Sequence, residues 1–160
     1  MEEPRTKKIK ERLNKYTKML REIENQQERL ELMESNMGSL PGPDVSGMPR
    51  PKGGVSDRVS MQAIRKADLE KKIEEDKANE RKENAALEDM VVQLPDPDER
   101  AVIRLKYFDG VEWPDIAFVL FGGKPDFNDR FEAYQDKTYK IHGRALLNLA
   151  DILENIKAPA

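Results

Sequence analysis

The stretch that decides the fold reads Pro97-Asp-Glu-Arg-Ala-Val-Ile-Arg-Leu-Lys-Tyr-Phe-Asp-Gly110, then Val111-Glu-Trp-Pro-Asp-Ile-Ala-Phe-Val-Leu-Phe-Gly-Gly123, and closes with Lys137-Thr-Tyr-Lys-Ile-His-Gly-Arg-Ala-Leu-Leu-Asn-Leu149. It holds three helical patterns with glycine breaks between them. Asp98 and Glu99 sit in the first turn of the first pattern, where negative charge favours the helix dipole. Ala101, Val102, Leu105 and Phe108 supply the apolar face of this first pattern, and Asp109-Gly110 breaks it. The second pattern opens at Glu112-Trp113-Pro114, buries Ile116, Ala117 and Leu120, and ends at Gly122-Gly123. Nine of the ten aromatic residues lie between Tyr107 and Tyr139. Large aromatics dominate burial, so the compact core is expected here, built on Val102, Leu105, Phe108, Ile116, Leu120, Ile141, Ala145 and Leu149.

The chain as a whole is too polar for one globule. Of 160 residues, 38% are apolar and 37% charged, which points to a large share of solvated helix or disorder. Four segments follow. Residues 1–37 carry a heptad seam of Ile9, Leu13, Tyr16, Leu20, Ile23, Gln27 and Leu30. The first half of this segment is strongly basic, with Arg5, Lys7, Lys8, Lys10, Arg12, Lys15, Lys18 and Arg21 set against Glu11 alone. It reads either as a solvated helix face or as a basic arm tracking phosphate. Residues 38–57 hold five Gly and four Pro, a composition expected to form a mobile linker. Residues 58–94 return to helix, with an apolar stripe at Leu69 and Ile73 and again at Leu87, Met90, Val91 and Leu94. Between these the stripe passes through Lys77 and Glu80. The two long helices would pair within one chain, or between chains as a homo-oligomeric coiled coil; both arrangements fit. Pro95 and Pro97 end the second helix, and residues 95–157 form the compact domain. No sustained strand alternation occurs, so the fold class is all-α.

Composition also removes functions. There are no cysteines and one histidine, so disulfides, cysteine-ligated zinc and Cys/His or Ser/His/Asp catalytic sets have no residues to use. No phosphate-binding glycine loop is present. Asp126, Asp129, Glu132 and Asp136 do not have calcium-loop spacing, and read as solvent-facing or capping residues. An enzyme is not expected, and neither is a metal or cofactor. No apolar run reaches membrane-span length; a cytoplasmic protein is expected.

The three-helix pattern resembles the helix-turn-helix of the sigma-70 family's fourth region. It more closely resembles the small sigma-like regulators of phages and prophages in Gram-positive bacteria, of the ArpU and RinA type. The residues that carry this are Leu94-Pro-Asp-Pro-Asp-Glu-Arg100, Leu105-Lys-Tyr-Phe-Asp-Gly110, Trp113-Pro-Asp-Ile-Ala117 and Tyr139-Lys-Ile-His-Gly-Arg-Ala-Leu146. The resemblance covers about the last third of the chain and implies a DNA-binding transcriptional regulator. It would act on phage promoters in the bacterial host cytoplasm, with double-stranded DNA and RNA polymerase as partners. Two departures stand out. Residues 122–136 replace the usual short turn, either as an extra short helix or as the start of a long recognition helix near Asp126. Glu112 sits where a Ser or Thr cap is usual.

On a helical wheel of the last helix, Ile141, Ala145, Leu149, Ile152 and Leu153 face one side. Lys137, Lys140 and Arg144 share the far side, with no acid among them until Asp151. With Thr138 and Gly143 they form the candidate DNA-binding set, since Lys and Arg on the outer face of a recognition helix reach phosphates and guanine edges. An ordinary solvated face is the plain alternative. Gly143 costs a helix roughly 1 kcal/mol against Ala, which close approach of DNA or of a neighbouring helix would explain. His142 is expected to be structural, with its ring nitrogens hydrogen-bonded, and Trp113 to be core. A net charge of −3 means that any DNA affinity is local. A second function class also fits: a phage assembly protein with a helix-turn-helix, like a terminase small subunit, that binds packaging DNA as an oligomer. A structural coiled-coil adaptor is the weaker third.

Overall fold

A computed structural model describes residues 4–38 and 54–157. The described chain is all-α, with no strand. A single 3-10 turn, Pro4–Thr6, leads into α1 (Lys7–Gly38). Then follow α2 (Gly54–Val91), α3 (Pro97–Ile103), α4 (Trp113–Phe121) and α5 (Phe131–Lys157). None of these helices is long and apolar enough to cross a membrane. Most of the expected linker lies outside the described residues. Its first residue and its last four do not: Gly38 ends α1 and α2 already begins at Gly54, where Asp57 in the first turn complements the dipole.

The chain divides into two compact units, residues 1–18 with 81–160 and residues 19–80. The expected boundary at residue 95 therefore does not separate the compact domain from the long helices. In the smaller unit the seam buries Ile23, Leu69 and Ile73, and Lys66 pairs with Glu34 at 3.8 Å. The division falls where the α2 stripe passes through Lys77 and Glu80, which are only half-buried.

In the larger unit the start of α1 belongs to the core. Ile9 and Leu13 are 0% exposed and Tyr16 is 2% exposed. Tyr16 accepts a hydrogen bond from Asn84 Nδ2 at 2.9 Å and meets Phe108 edge-on at 5.4 Å. Thr17 Oγ1 donates to the Tyr107 carbonyl at 3.1 Å. Arg12 Nε reaches Glu83 at 2.7 Å, and Arg5 pairs with Asp151. At the far end of α2, Leu87, Met90 and Val91 are about 1% exposed, as is Leu94 in the turn that follows. Within the chain, α1 and α2 of this unit meet through Tyr16–Asn84 and Arg12–Glu83.

The entry to α3 follows its sequence. Asp96 caps it, its Oδ1 accepting from the Asp98 N–H at 2.9 Å, with Pro97 in the first turn. Arg100 Nη1 donates back to the Leu94 carbonyl at 2.6 Å. The exit departs from expectation. After Ile103 the helix widens over Arg104–Phe108 into a π-helical turn, closed by Asp109 N–H to the Arg104 carbonyl at 2.9 Å. A π turn takes one more residue per hydrogen-bonded ring than an α turn, so side chains beyond it fall off the 3.6 period. The buried residues are Val102, Ile103 and Tyr107, while Leu105 and Phe108 are half-buried. Gly110 then takes φ +68°, a left-handed conformation that costs other residues steric strain. At the end of α4 a Cβ on Gly122 would come within 2.4 Å of the Phe118 carbonyl, so that glycine is required by space.

Residues 122–130 are successive tight turns, and α5 starts at Phe131. The segment is folded against the domain. Phe127 is buried with Ala117 and Tyr134, and Phe121 and Phe131 pack on this cluster. Residues 131–136 are therefore the first turns of a 27-residue helix, and the extra short helix is not what forms. A second cluster of Val102, Ile116 and Ile141 joins α3, α4 and α5, with Trp113 and Leu120 at its edge.

Candidate nucleic-acid interface

α5 buries Tyr134, Thr138, Ile141, Ala145, Leu146, Leu149, Ala150 and Leu153. That single stripe fixes the rest of the helix. Lys137, Lys140 and Arg144 are all exposed, as the wheel implies. Lys137 Nζ lies 5.0 Å from the centre of the Tyr134 ring, a cation–π distance. Tyr134 in turn donates its hydroxyl to Asp126 Oδ1 at 2.5 Å. That hydrogen bond lowers the Asp126 carboxyl from its usual range and raises the Tyr134 phenol.

Thr138 does not belong to the set. It is 0% exposed, and its hydroxyl donates to the Tyr134 carbonyl of its own helix at 2.9 Å. The signal was in the spacing: Thr138 is three residues before Ile141 and seven before Ala145, on the buried stripe. Gly143 remains. A Cβ built there meets nothing within 4 Å, so close packing of a neighbouring helix is not its reason.

An aromatic cluster forms around His142. His142 Nε2 shares a 2.7 Å hydrogen bond with the Tyr107 hydroxyl. The imidazole stacks on the Tyr107 ring at 5.7 Å and meets Trp113 edge-on at 4.9 Å. Burial, with Lys10 and Lys106 adding to it, pushes the imidazole down to about 4. The histidine is thus a neutral structural residue, as its place beside the core stripe implies. Trp113 is a half-buried edge of the core, with Lys106 Nζ 5.0 Å from its ring centre and Tyr139 against it at 5.1 Å. Glu112 makes no side-chain cap at the start of α4.

Lys137, Lys140, Gly143 and Arg144 line one groove of about 870 Å³ on the larger unit. Lys10 and Thr6 of the chain's start line it as well, and so does one carboxylate, Asp98. Lys10 was legible as part of a basic run, but its place beside α5 was not. The groove offers three exposed cations on one rigid helix, a position without a side chain among them, and a single opposing acid. Phe121, Ile141, Leu146 and Leu147 complete the wall of the groove, so its cations can hold an anion along an otherwise largely apolar surface. Comparison of the chain with protein-family models, curated proteins and solved structures finds no match.

Proposed function

We propose that the protein is a sequence-specific binder of double-stranded DNA and acts as a transcriptional regulator of the phage type, with RNA polymerase as its second partner. The carrying observation is the exposed row Lys137, Lys140 and Arg144 around Gly143 on a 27-residue helix held by a continuous buried stripe. An α-helix fits the major groove of DNA, and cations on its outer face reach phosphates and base edges. The sigma-like motifs of the last third supply the regulatory part of the reading. Because the whole chain carries a net charge of −3, affinity must come from this local surface.

The test is a titration of the full chain on DNA retained from its own genome neighbourhood and on random duplex. The variant carries Lys137→Ala, Lys140→Ala and Arg144→Ala, with its fold checked by circular dichroism. Loss of preference for the retained DNA is expected. Arg144→Ala alone should cost roughly 1–3 kcal/mol of binding if it reads a guanine. An unchanged preference in the triple variant places recognition elsewhere.

A further inference from the structure

Resting on that reading, we propose that the start of α1 is a fixed part of the DNA-binding surface, with Lys10 as a fourth phosphate-contacting cation in the α5 groove. The basic run does not act as one uniform arm. Two of its three arginines reach other elements, Arg5 to Asp151 of α5 and Arg12 to Glu83 of α2, while Arg21 pairs with Glu24 of α1 itself. Ile9 and Leu13, on either side of Lys10 in sequence, have no exposed surface. Ile9 and Lys8 also share a small cavity with Ala150 and Leu153 of α5. The backbone that carries Lys10 is therefore anchored.

Two observations put Lys10 beside α5. It lines the same groove as Lys137, Lys140 and Arg144, and its charge is felt by His142 in the middle of that helix. The groove then holds four cations against one carboxylate, Asp98. In a chain whose net charge is negative, this concentration of positive charge is complementary to a phosphodiester backbone. A cation on a second, rigidly held helix would contact phosphates flanking the stretch that α5 reads. Such contacts fix position and carry no sequence information.

The experiment compares full-length variants on a short labelled duplex across a range of salt concentrations. Lys10→Gln is expected to flatten the dependence of log affinity on log salt by about one unit, and to leave the preference ratio between retained and random DNA unchanged. Lys10→Arg keeps the charge and should restore the wild-type slope, which separates charge from packing. Lys15→Gln removes an exposed cation of α1 that lies outside the groove, and should change the slope less. Equal effects of Lys10→Gln and Lys15→Gln would overturn the inference in favour of a diffuse basic arm. So would an unchanged slope in Lys10→Gln. If the α5 triple variant loses preference while Lys10→Gln behaves as wild type, the α5 reading stands and only the groove proposal falls. If the triple variant binds as wild type, both fall.

Discussion

Tyr107 and His142 face each other across the α3–α5 contact, joined by a 2.7 Å hydrogen bond from ring nitrogen to hydroxyl with their rings stacked 28° from parallel. Thirty-five residues separate them in sequence, and the π turn at Arg104–Phe108 brings Tyr107 inward. The pair joins the widened end of α3 to the middle of the helix that carries the candidate cations.

That pair gives the fold a pH dependence. Burial, then the charges of Lys10 and Lys106, hold the His142 imidazole at about 4, below its ordinary 6.5. Between those values the unfolded chain binds the proton and the folded chain does not. The stabilisation from a neutral His142 is therefore complete above about pH 6.5 and is lost as pH falls toward 4, by up to about 3 kcal/mol. Thermal melts of wild type and His142→Gln between pH 7 and pH 4 check this. The wild type should lose more stability over that window than the variant. Equal losses would mean that other groups govern the acid response.

A fragment of residues 81–157 lacks Ile9, Leu13 and Tyr16, which are 0%, 0% and 2% exposed in the intact unit. It should be largely unfolded or partly collapsed, with its melting restored when residues 1–18 are kept attached. In the full chain Leu13→Ala should cost about 2–5 kcal/mol. Leu105→Ala, at a half-buried site, should cost less. Denaturant midpoints of the two variants decide the order. A fragment that melts as cooperatively as the full chain would show that α1 only decorates the domain.

Much of this architecture can be read from short-range pattern. The all-α class, the breaks at Asp109-Gly110 and Gly122, the first-turn acids after Pro97 and the seam from Ile9 to Ile23 each depend on residues a few positions apart. The exposure of Lys137, Lys140 and Arg144 follows from the same periodicity. Three features depend on something else. The burial of Tyr107 in place of Phe108 needs a π turn, which the 3.6 period cannot signal. The docking of the chain's start on α5, sealed by Arg5 and Asp151, joins residues 146 positions apart, and nothing local encodes it. Thr138 is the opposite case: its spacing, three residues before Ile141 and seven before Ala145, already places it on the buried stripe.

Gly143 offers the prediction that separates binding from stability. It lies inside a long helix, where glycine costs roughly 1 kcal/mol relative to alanine. A Cβ there would meet no atom within 4 Å, and the backbone φ is not in the left-handed region. Nothing in the fold itself therefore requires a glycine. Gly143→Ala should raise the stability of the full chain by up to about 1 kcal/mol, read as a higher melting temperature. Gly143 also sits between Lys140 and Arg144 on the groove, where an added methyl would push an approaching DNA strand outward. The same substitution should then weaken binding to retained DNA, and Gly143→Val more so. Melting temperature and affinity are thus expected to move in opposite directions. A variant that gains stability and keeps full DNA affinity would show that no ligand approaches α5 at this position.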